Sequence, residues 1–118
     1  MSIDRRKELY DALCNDDELC TMLAQGADSI SAYYEDDMAL PCIVVQEISD
    51  TPAQFTDDDE NASRIRLQIT ICTNNDEYDE IEQQVKTIIR GLGYTRQLST
   101  VQRDNDKYYR ILQYIAVN

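Results

Sequence analysis

Histidine and tryptophan are absent from this chain of 118 residues, glycine occurs three times and proline twice. Without histidine there is no Ser-His or Cys-His nucleophile pair and no ready general base near neutral pH. The three glycines, Gly26, Gly91 and Gly93, form no G-x-G-x-x-G or Walker loop to cradle phosphate. Positive charge is scarce too: 11 Lys and Arg face 23 Asp and Glu, for a net charge of −12 and a pI near 4.2. That balance disfavours binding a duplex through its phosphates or docking on an anionic membrane. No apolar run approaches the roughly 20 residues that span a bilayer, and no apolar stretch follows Arg5-Arg6-Lys7 to make a signal peptide. The expectation is a protein made in a reducing cytoplasm and not bound to membranes.

Four cysteines, Cys14, Cys20, Cys42 and Cys72, lack the paired spacing of zinc ligands and read as small buried thiols. Neither a metal nor another cofactor is expected. With 42% hydrophobic and 29% charged residues, the composition suits one globular domain over 1–118.

What is present is clearest between Arg64 and Gly93. Ile65, Leu67, Ile69 and Ile71 alternate with Arg64, Arg66, Gln68 and Thr70, the period of a half-buried strand. After Thr73-Asn74-Asn75 the apolar residues Tyr78, Ile81, Val85, Ile88, Ile89 and Leu92 recur at three- and four-residue steps, one stripe of a helix. That helix is read from Asp76. Its early acids and its late Lys86 and Arg90 suit the helix dipole, and Gly91 and Gly93 are read as its stop.

Around this unit the signals are shorter. Ser2 or Asp4 is read as the cap of a first helix with Ile3, Leu9, Tyr10 and Leu13 inward. Asn15 and Glu18 resemble a capping box for a second, with Leu19, Met22 and Leu23 inward and Gly26 as its end. Ile30 to Tyr34 reads as a short strand, and Cys42 to Ile48 as a strand covered on both faces. Residues 50–62 read as an exposed acidic loop or the tip of an extended hairpin. Thr95 to Gln102 is a weakly patterned strand and Tyr108 to Val117 a final one. The sum is an α+β domain: a mostly antiparallel sheet, one long helix packed on a face and two short N-terminal helices.

Chemistry is thin. Asp57, Asp59 and Asn61 match the first, third and fifth positions of a calcium loop, but Ala62 replaces its glycine and Gln68 its final glutamate. Carboxylates are plentiful, yet no residue set points to an active site, and the protein is not expected to be an enzyme. Eight tyrosines against one phenylalanine favour partly wet contacts, so half of them suit a partner surface.

Taken in order, the segments resemble the tail-completion proteins (tail terminators, or head–tail joining proteins) of long-tailed bacteriophages and prophages. "LYDALCNDDEL" resembles the family's opening helices and "LPCIVVQEIS" its proline-led first core strand. "RIRLQITICTNNDEYDEIEQQVKTIIRGLGY" resembles its alternating strand and long helix, and "DNDKYYRILQYIAV" its closing hairpin. The resemblance implies a structural virion protein of the neck, assembled in the host cytoplasm. It implies a hexameric ring of this chain that caps the tail tube protein, meets the head connector and lets DNA pass without specific binding. Asp57, Asp58, Asp59 and Glu60 are then candidates for lining the bore or touching the tail tube. Tyr108, Tyr109 and Tyr114 are candidates for the subunit interface. The alternative is an acidic protein-binding module, an inhibitor of the DNA-mimic type.

Overall fold

The computed structural model describes residues 5–32, 39–52, 63–74, 79–104 and 107–117. In order they form α1 (Arg5–Cys14), α2 (Asp17–Met22), a 3-10 turn (Gly26–Ser29), β1 (Ile30–Ser31) and β2 (Cys42–Pro52). β3 (Ser63–Thr73), α3 (Asp79–Leu92), β4 (Thr95–Asp104) and β5 (Lys107–Val117) follow. The strands make one sheet in the order β1-β2-β3-β5-β4, antiparallel except for the short parallel pairing of β1 with β2. This is the expected α+β arrangement.

Period translates directly into packing. Ile65, Leu67, Ile69 and Ile71 share the helix-covered face of β3, none more than 3% exposed. Ile81, Val85 and Ile89 of α3 meet them, with Leu9 and Leu13 of α1, Leu19 of α2, and Leu112 and Tyr114 of β5. Burying each such large side chain contributes about 1.5–3 kcal/mol. The first residues of β2 are covered on both faces as expected: Ile43, Val44 and Val45 are 0–2% exposed. The sheet face opposite the helices is polar in its middle. Gln113 donates Nε2 to Gln68 Oε1 at 3.1 Å, and Gln68 donates to Thr70 Oγ1 at 3.2 Å.

Several boundaries differ from expectation for local reasons. The cap of α2 is Asp16, not Asn15: its Oδ1 accepts from Leu19 N–H at 2.8 Å. Gly91 lies inside α3, and the stop is Gly93 alone, at φ +78° with its N–H turned back to Ile89 O. An L side chain resists that left-handed conformation, whereas glycine adopts it freely. The acidic stretch is approached by an extended hairpin, since β2 and β3 stay paired as far as Pro52 and Ser63. The start of the long helix at Asp76 lies outside the described residues, as do Tyr33 and Tyr34 of the strand read at Ile30 to Tyr34, which is formed at Ile30–Ser31. No helix among the described residues is long and apolar enough to cross a membrane.

Candidate functional site

Of the residues singled out in the sequence, Asp57, Asp58, Asp59 and Glu60 lie outside the described residues, between the paired ends Pro52 and Ser63. The three tyrosines lie on β5 but do not stay together. Tyr114 shares the helix-covered face and is 4% exposed, and burial pushes its phenol up. Its ring packs within the core cluster, unlike those of the other two tyrosines. Tyr108 and Tyr109 are half-buried neighbours on opposite faces. Tyr108 lies opposite Arg103 on β4, whose guanidinium carbon sits 5.4 Å from the ring centroid. Tyr109 lies opposite Cys72 and lines a small cavity with Val44, Gln46, Thr70 and Cys72.

The register exposes a charge division that the total conceals. β3, β5 and β4, adjacent in the sheet, carry Arg64, Arg66, Arg96, Arg103, Lys107 and Arg110 against one carboxylate, Asp104. The other 5 cations and 22 carboxylates lie elsewhere in the chain. Arg96 and Arg103 stand exposed on β4, the outermost strand, together with Leu98 at 45% and Val101 at 39% exposure. That edge is basic and partly apolar, which is unusual on so acidic a chain.

The opposite sign collects in the helical layer. A groove of about 500 Å³ runs between α2 and the start of α3, lined by Glu18, Asp79, Glu80, Met22, Gln83 and Thr87, with Gln84 and Thr21. Asp16 ties its two walls: Gln84 of α3 donates Nε2 to both carboxylate oxygens, at 3.0 and 3.1 Å. One further link fixes α3 to the sheet. Glu82, 5% exposed, receives Arg110 Nη2 at 3.0 Å and Lys86 Nζ at 2.7 Å on Oε2. Arg110 Nε lies 3.0 Å from Oε1 as a charge contact. Burial alone would push the Glu82 carboxyl up, but the hydrogen bonds and charges of Lys86 and Arg110 outweigh it and hold it below the ordinary value.

These arrangements can hold and orient surfaces. Among the described residues no group of three or more His, Cys, Asp or Glu side chains converges as a metal site would require. Sequence reading missed the basic edge because charge was summed over the whole chain. Counting charges strand by strand reveals it, since β4 and β5 together hold four of the eleven cations.

Compared with known proteins, the chain matches no curated protein sequence. A family model, described as Tail completion protein gp17, matches it over residues 7–117, which spans every strand and α3. The chain belongs to this family of phage tail completion proteins.

Proposed function

We propose that copies of this chain close into a hexameric ring on the end of the tail tube and present that ring to the head connector, leaving a bore for DNA. The family is one of structural phage tail proteins, which sets the class of role. One observation supports the ring: the division of charge between the β3-β5-β4 strands and the rest of the chain. A closed ring needs two different patches on each copy that fit one another. The basic edge of β4, bearing Arg96 and Arg103, is one such patch, and the acidic groove lined by Glu18, Asp79 and Glu80 is a complementary one. Tyr108 and Tyr109 lie beside that edge and are proposed interface residues. Asp57, Asp58, Asp59 and Glu60 are proposed to face the bore, where a ring of carboxylates would repel passing phosphates, or else the tail tube.

A DNA-mimic module would want carboxylates along one continuous face. Six cations in three adjacent strands work against that arrangement. The test is to remove the protein from an assembling phage and image the tails. The ring reading expects tails that fail to join heads, and joining restored when purified protein is added back. Normal joining without the protein would overturn it.

A further inference from the structure

Cys42 opens β2, Cys72 lies near the end of β3, and the antiparallel register sets them directly opposite one another. Side chains so placed share a face, with Cβ atoms about 4.5–5.5 Å apart, near the roughly 3.5–4.5 Å that a disulfide spans. Both cysteines are free and both are 0% exposed.

The facing thiols influence one another's ionisation. The hydrogen bond from Cys72 pulls the Cys42 thiol below its ordinary value against the effect of burial, with help from the charge of Lys107. The same hydrogen bond, together with burial, pushes Cys72 far up. Two facing thiols, one drawn down and the other pushed up, set a more readily ionised sulfur beside a partner that can resolve it. A cavity adjoins the pair on its Cys72 side. It measures about 100 Å³ and is lined by Cys72 with Val44, Gln46, Thr70 and Tyr109, ample for a molecule little larger than water. The other two cysteines are arranged differently. Cys20 directs its S–H to the Cys14 carbonyl oxygen at 3.4 Å, and burial pushes both thiols up.

We propose that Cys42 and Cys72 form a dithiol oxidation site, at which a small hydroperoxide closes a disulfide between β2 and β3. The Cys42 thiolate attacks one peroxide oxygen, the O–O bond breaks, and Cys42 becomes a sulfenic acid as hydroxide leaves. That hydroxide takes the Cys72 proton and becomes water. The Cys72 sulfur then displaces the second hydroxide from the sulfenic sulfur, and the proton first lost by Cys42 converts it to water. Two thiols and one hydrogen peroxide give one disulfide and two waters, with two electrons passing from sulfur to oxygen. The bridge would staple the base of the hairpin that leads to the acidic segment 57–60. This inference stands apart from the ring, because it concerns contacts within one copy.

The test takes the full chain, reduced and freed of reductant, and adds one equivalent of hydrogen peroxide under native conditions. The expected product has lost two hydrogens, shows a Cys42–Cys72 peptide in a non-reducing digest, and melts roughly 10 °C higher. A Cys14→Ser, Cys20→Ser variant keeps the pair and gives the same product. Four free thiols after treatment, oxygen added to a single cysteine without a bridge, a Cys14–Cys20 bridge instead, or bridging only in denaturant would each overturn the proposal.

Discussion

Glu82 on α3 and Arg110 on β5 meet through two contacts of 3.0 Å, and this pair pins the long helix over the sheet. Their side chains are 7% and 21% exposed, so each depends on the other for the solvation it lost on folding. Replacing Glu82→Gln leaves the Arg110 and Lys86 charges without their counter-ion. The expected loss is about 2–3 kcal/mol, read as a lower urea midpoint at neutral pH. Replacing the pair together, Glu82→Leu with Arg110→Met, should cost clearly less than Glu82→Gln alone, because no charge is then stranded.

The same pair sets an acid dependence. The folded chain holds the Glu82 carboxyl below its ordinary value of 4.5, so the unfolded chain binds the proton more readily. The contribution of Glu82 is therefore fully present above roughly pH 4.5 and fades as pH falls through the folded value. Urea midpoints of the wild type and Glu82→Gln should differ by a constant amount from pH 7 to about pH 5 and converge below it. A gap that stayed constant down to pH 2.5 would remove Glu82 as the source.

Asp16 does two jobs with one carboxylate, capping α2 through Leu19 N–H and receiving Gln84 from α3. Asp16→Ala removes both and should cost about 1–2 kcal/mol. Asp16→Asn keeps an acceptor for the cap and should recover most of that loss. Equal losses in the two variants would show that the carboxylate charge, not the cap geometry, carries the effect.

Gly91 and Gly93 make a matched pair. Gly91 is helical, with nothing within 4 Å of an added Cβ, whereas Gly93 sits at φ +78°. Gly91→Ala should stabilise the chain by about 0.5–1 kcal/mol through helix propensity. Gly93→Ala should destabilise it by about 1–2 kcal/mol. Thermal unfolding of the two variants, with opposite signs expected, checks the end of α3 directly.

What was legible from the residues follows physical lines. Ile65 to Ile71 and Ile81 to Ile89 announced a strand and a helix because each repeats its own period within one element. β4 was weakly patterned for a reason now visible: it is an edge strand whose register shifts between Arg96 and Leu98, and a bulge breaks alternation. The two-residue β1 gains its identity only from its parallel partner in β2, which no local pattern encodes. Of the site, the tyrosines were correctly placed on the last strand, but which face each occupies depends on register. A one-residue slip would have put Tyr114 outside and Tyr109 within. The opposition of Cys42 and Cys72, some thirty residues apart, is hidden from local reading in the same way.

Arg96 and Arg103 should matter to association and little to folding. Both are exposed on the outermost strand, so Arg96→Glu with Arg103→Glu should shift stability by no more than about 1 kcal/mol, including the lost contact of Arg103 with Tyr108. If β4 meets the acidic groove of the next copy, reversing both charges sets like against like and should weaken self-association at least roughly tenfold. The wild type should weaken in the same direction as salt rises, because exposed charges beyond a Debye length are screened. Adding Asp79→Arg and Glu80→Arg to the same chain restores opposite signs across the contact and should recover association. Native mass measurements over a concentration series read all three effects. Recovery in the fourfold variant is the decisive observation, since general electrostatic repulsion between acidic copies would predict no specific rescue. An association unchanged by any of these substitutions would place the subunit contact away from β4 while leaving a ring built on another surface intact.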